Sequence, residues 1–150
     1  MPAPSSTAPS PIDNAPTTAI SLGYAGLIPF VALAIAPVTQ VLAVDVRHAF
    51  ITYSAVILSF LGGIRWGVNA AASTPSGRDL WIGIFVSLAG WFGCLLAPAS
   101  AIIWLLTAHV GTLAVDQLLP ARGQMTWLTA LRLRLSIGAI VAHVLTLALT

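Results

Sequence analysis

Apolar residues in this chain neither alternate nor recur on one helical face. They come in five long blocks, roughly 20–44, 50–71, 80–97, 101–119 and 127–149. Each is close to the about 20 residues a helix needs to cross a hydrocarbon core. Polar or helix-breaking stretches separate them: "VDVRH", "STPSGRD", "APAS" and "LPARGQM". In lipid a spanning backbone must satisfy its own hydrogen bonds, so the blocks predict helices. The expected fold is an all-α bundle of five transmembrane helices over 20–150, with Ser100 as the N-cap of the fourth. No internal repeat is visible.

Composition removes the soluble alternative. Only 7% of the residues are charged and 58% are hydrophobic, against about 25% charged in a soluble domain. The mean hydropathy is +0.96. The net charge is +2, from six arginines and no lysine. That is too little basic charge for a phosphate-facing patch, so no nucleic-acid partner is expected. Cys94 is the only cysteine, so no intrachain disulfide can form. Residues 1–19, "MPAPSSTAPSPIDNAPTTA", hold five of the ten prolines and little to bury, which predicts a disordered tail. The tail lacks the basic start of a secretory signal, so the apolar block after it is expected to be retained.

The arginines orient the bundle. With the N-terminus inside, Arg65, Arg78, Arg122, Arg132 and Arg134 fall at the inner end and Arg47 alone at the outer end. The positive-inside rule therefore predicts N-in, C-out. Trp66, Trp81 and Trp127 then fall near the inner boundary and Trp104 near the outer one, while Trp91 fits neither belt and is expected between helices or against lipid tails.

Within the second block, "SFLGGIRWG" sets Arg65 and Trp66 where apolar sequence should continue. Arg65 has three readings: snorkelling to headgroups, a buried contact to another helix, or a ligand-binding group. Ala55, Ser59, Gly63, Gly67 and Ala71 recur every four residues, with Gly62 beside them. This pattern predicts a small-residue packing face, and small faces let helices approach closely. Arg65 projects from the other side, on an edge with Leu61 and Asn69. The expectation is a central helix in which Gly63→Leu disrupts folding or assembly.

In the fourth block His109, Thr112 and Asp116 share one face. Asp116 lies at a depth like that of Arg65 and Arg132, and Arg132 is its favoured partner; the alternative is an interfacial aspartate in water. His109 and His143 differ in expected depth by roughly 7 Å of helix rise, which argues against a bis-histidine haem, and no cofactor or metal is expected. Pro29 is expected to kink the first helix.

The phrases "LGYAGLIPF" and "YSAVILSFLGGIRWG" resemble the family called domain of unknown function 3429, whose animal relative is transmembrane protein 69. The resemblance implies a small multi-pass membrane protein and attaches no activity to any residue. The leading functional expectation is a non-enzymatic accessory or assembly factor acting through helix contacts in a bacterial inner membrane, with a mitochondrial inner membrane as the less favoured location. Its partners would be the bilayer and another membrane protein or a second copy. One rival is a small-solute transporter working as an oligomer through His109 and Asp116. The other is a lipid- or quinone-modifying enzyme, which requires Arg132 and Asp116 to lie together, with Asp79 the one other acid available.

Overall fold

A computed structural model of the chain describes residues 15–39 and 45–149. All six regular elements among them are helices: α1 (Ala15–Ala25), α2 (Leu27–Thr39), α3 (Val46–Ala70), α4 (Gly77–Gly93), α5 (Pro98–Leu118) and α6 (Thr126–Leu149). α1 and α2 form one broken rod, so five rods make up the bundle. Four are long and apolar enough to cross a membrane: Pro16–Pro37, Val46–Ala70, Pro98–Leu118 and Thr126–Leu149. α4 is apolar but has 17 residues. The last five residues of the expected tail, 15–19, are helical. Residues 1–14, and the end of the first block at 40–44, lie outside the described residues.

Local chemistry explains where the helices start. Asp45 caps α3 by accepting from the His48 amide at 3.1 Å, so α3 begins four residues before the expected position. α5 begins at Pro98 with Ala97 as N-cap, and not at Ser100. Proline suits the first helical turn because its missing N–H would have no partner there. The first rod breaks at Gly26 rather than at Pro29. Pro29 cannot donate to the carbonyl four residues back and crowds it, so the helix gives way next to Ala25. Tyr53 donates to the exposed Gly26 carbonyl at 2.7 Å and fastens the break to α3.

Successive rods alternate in direction. Gly62 faces Gly83, Ser59 faces Ser87 and the Ala55 carbonyl faces Gly90, so α3 and α4 are antiparallel. A Cβ at Gly83 would lie 2.8 Å from the Gly62 carbonyl, and one at Gly90 would lie 2.7 Å from the Ala55 carbonyl. Only glycine permits this approach. Gly23 faces Leu131 and Leu135, and Gly138 faces Leu27, so the first rod runs parallel to α6. The core lies where α2, α3, α5 and α6 meet, around Phe30, Phe50, Leu58, Ile102, Leu105 and Ala139. Trp81, Phe85, Trp91 and Leu118 are exposed on the outside. That surface contacts lipid in a membrane-spanning bundle, and Trp91 belongs to it rather than to a helix interface.

Candidate functional site

The packing seam departs from the expected small-residue stripe. Ala55, Ser59 and Gly62 lie against α4, and Trp66, itself 45% exposed, continues the seam with its Cβ against Gly83. A Cβ at Gly63 or Gly67 would meet nothing within 4 Å, and Ala71 lies just beyond the helix. The reason is helical geometry. Four residues are slightly more than one turn, so a strict four-residue repeat creeps steadily around the helix. Between Ala55 and Ala71 that drift carries the stripe almost to the opposite side. The observed seam alternates steps of four and three and stays on one side. The expected folding role of Gly63 therefore belongs to Gly62.

The edge opposite that stripe faces the interior: Leu61, Arg65 and Asn69 are all buried. Arg65 is 3% exposed and does not snorkel. Its Nη2 donates to Asp79 Oδ1 at 2.6 Å and to the Leu119 carbonyl at 2.5 Å, and its Nη1 donates to Asp116 Oδ1 at 3.1 Å. Arg132 meets the other oxygen of Asp116 through Nε at 2.9 Å and Nη2 at 2.5 Å. Its Nη1 donates to the Leu61 carbonyl at 3.2 Å. Asp79 also receives Arg78 at 3.4 Å and the Arg122 amide at 3.4 Å. Two arginines and two aspartates from α3, α4, α5 and α6 thus form one electrically neutral, buried cluster. Arg65 on α3 and Arg132 on α6 gather the acids of α4 and α5, and the Leu119 carbonyl presents the negative end of α5 to Arg65.

Further into the bundle lies a second polar layer. Ser54 Oγ lies 3.2 Å from His109 Nε2 and 2.9 Å from His143 Nε2. All three residues are fully buried, and the imidazole centroids are 5.0 Å apart. His143 Nδ1 lies 2.8 Å from the Ala139 carbonyl, which can only accept. For neutral rings the rest follows. His143 carries its proton on Nδ1, so Ser54 donates to His143 Nε2. Ser54 then accepts from His109 Nε2–H, which leaves His109 Nδ1 as a bare acceptor. His109 Nδ1 is indeed a buried atom with no partner. Thr112 lies between the layers and returns its hydroxyl to the Ala108 carbonyl at 2.8 Å. The expected depth gap between the histidines does not keep them apart. Counting rise along separate helices fixes neither their relative offset nor the reach of the side chains.

Of the residues expected to form a polar site, Arg65, Asp116 and Arg132 come together in the ionic cluster. His109 belongs to the second layer, Thr112 lies between the two and bonds only to its own helix, and Trp66 stands outside both. Asp79 and Ser54 carry roles that no motif announced. One signal pointed to Asp79: the chain has four acidic residues in all, and a buried arginine draws on that short supply. Among the described residues, no group of three or more His, Cys, Asp or Glu side chains could hold a metal ion.

The chain matches the family described as protein of unknown function (DUF3429) over residues 15–148. It is 34% identical to transmembrane protein 69 of Xenopus tropicalis over 137 residues, covering 86% of this chain and 53% of that protein. It is 30% identical to transmembrane protein 69 of Mus musculus over 146 residues, covering 91% of this chain and 58% of that one. The chain thus spans somewhat more than half the length of these relatives. No solved structure matches it. The chain belongs to the DUF3429 family, is related to transmembrane protein 69, and is a multi-pass membrane protein.

Proposed function

We propose that this protein is a non-enzymatic accessory or assembly factor of a bacterial cytoplasmic membrane, working through helix contacts with its N-terminus inside. The observation that supports this reading is the state of its acids. Asp79 and Asp116 are the acidic residues within the bundle, and all four of their oxygens are taken by arginine side chains or backbone. Neither lines the two cavities along the first rod. General acid–base chemistry needs a carboxyl within reach of substrate, and here the carboxylates join helices instead. Arg132 and Asp116 lie together as the inner-face enzyme required, but as a closed pair. The orientation rests on the arginine distribution, with Arg65, Arg78, Arg122 and Arg132 gathered around one end of the bundle.

A frame stapled in this way leaves the outward side of α3 free at Gly63 and Gly67, where a partner helix could approach closely. The test is affinity purification from native membranes in mild detergent at native expression, with mass spectrometry of what stays bound. A near-stoichiometric partner lost on Gly63→Leu, with the bundle still folded, is the expected result. Recovery of the chain alone, or only with itself, would overturn the reading. A second reading is small-solute transport by an oligomer, favoured by the unpartnered His109 Nδ1. It predicts proteoliposome uptake that disappears when His109 and Asp116 are both replaced.

A further inference from the structure

The first rod does not close fully against α3 and α6. Between them lies a cavity of about 360 Å³, lined by Leu22, Gly23, Phe60, Leu131, Arg132 and Ser136 among others. That volume is at the small end of the roughly 300–1,000 Å³ typical of ligand pockets. The walls are almost wholly apolar, and Leu22 and Phe60 are more than 60% exposed, so the cavity opens sideways towards lipid. Two polar side chains reach it. Arg132 already has its charge met by Asp116. Ser136 is 2% exposed, and its Oγ has no hydrogen-bond partner. Thr112 and Thr146, buried on the neighbouring stretches, return their hydroxyls to the carbonyl four residues back. Ser136 does not, and a buried hydroxyl without a partner in an apolar wall is costly.

We propose that this cavity binds the head of a quinone-type lipophile: an uncharged ring bearing carbonyl oxygens, with a hydrocarbon tail leaving between Leu22 and Phe60. The chemistry of the walls selects this class. Ser136 offers an unused hydroxyl, and the neighbouring Arg132 charge is already neutralised by Asp116, so the wall favours a neutral carbonyl over a phosphate or carboxylate. Depth excludes the ester carbonyl of a leaflet phospholipid. Ser136 is ten residues into α6, about 15 Å along it, or half of an about 30 Å hydrocarbon core. An acyl chain would bring only methylenes to that level.

The test uses the full chain in quinone-free phospholipid nanodiscs and a photoreactive azidobenzoquinone with a decyl tail. A decyl diazirine without carbonyls serves as the comparison probe. The expected result is saturable labelling within 19–30 or 128–139, competed by decylubiquinone. Ser136→Ala should raise the half-saturating concentration about tenfold, the loss of one hydrogen bond to a buried group. Leu135→Trp should narrow the cavity and remove labelling; should it fail to fold, Ser136→Ala decides. Labelling that rises without saturation, or that ignores Ser136→Ala, overturns the proposal. So does equal labelling by the diazirine, which would make this a plain acyl-chain groove.

Discussion

The bundle buries two polar layers that solve the same problem differently. The layer near one end of the bundle is ionic: Arg65 and Arg132 hold Asp79 and Asp116, and four helices meet there. The deeper layer is uncharged: Ser54 joins His109 and His143, and three helices meet there. In the first, one buried nitrogen, Arg65 Nε, lacks a partner, while every carboxylate oxygen is occupied. In the second, Ser54 has one proton to give and two imidazoles to satisfy, so one ring must turn an acceptor towards nothing. Each layer thus keeps one unmet nitrogen, but the ionic layer must also balance its charge, which a low-dielectric interior makes obligatory, whereas the neutral layer has only hydrogen bonds to balance. The lesson is that the ionic layer ties four helices together through charge balance, and the neutral layer ties three together through a single shared hydroxyl.

The strongest way to break the comparison is Asp116→Ala. It leaves two buried arginines facing one another, and breaking a buried pair costs about 3–5 kcal/mol. SDS-titration unfolding followed by circular dichroism should show that loss. The Asp116→Ala, Arg132→Leu double variant should lose less than the sum of the two singles. Strict additivity would mean that the pair contributes no coupling.

Gly62→Leu comes next and separates the layers. Its side chain would drive into the Gly83 carbonyl and Ser87, and overpacking of this kind costs about 1–3 kcal/mol. The displaced helix is α4, which carries Asp79 to Arg65 but supplies nothing to Ser54, His109 or His143. Histidine NMR signals should persist while the Arg65–Asp79 pair is lost.

Ser54→Ala attacks the neutral layer directly. It strips both Nε2 atoms of their partner, and an unsatisfied buried group costs about 1–3 kcal/mol. The same unfolding assay should place it below Asp116→Ala; a larger loss than Asp116→Ala would invert the ranking of the layers. The smallest effect belongs to Gly63→Leu, which touches neither layer. With open space around it, its stability should stay within about 0.5 kcal/mol of the parent in that assay.

Some of this was legible in the chain. The apolar blocks locate the rods because length and hydropathy are properties of each segment alone. Asp116 and Arg132 were readable as a pair because one short loop joins their helices. Asp79 was not: the chain marked it only as the one other acid available to an enzyme, and the close α3–α4 crossing is what buries it beside Arg65. That crossing depends on Gly62, Gly83 and Gly90, whose register comes from two helices at once. The same holds for Ser54, one small residue among many until α5 and α6, both distant in the sequence, deliver imidazoles to it.

The shortness of α4 has a consequence for the surrounding bilayer. Its 17 residues rise about 25 Å, less than the about 30 Å of a typical hydrocarbon core. Were α4 to cross the bilayer as the fifth rod, the leaflets on that side would have to draw together or the flanking side chains stretch to meet them. Because α4 is pinned at one end by the Arg65–Asp79 contact, it cannot slide to share the mismatch between both leaflets. As a fifth span, α4 would thin the bilayer on one side of the molecule only, and neighbours with similarly short segments are the ones that would gather there.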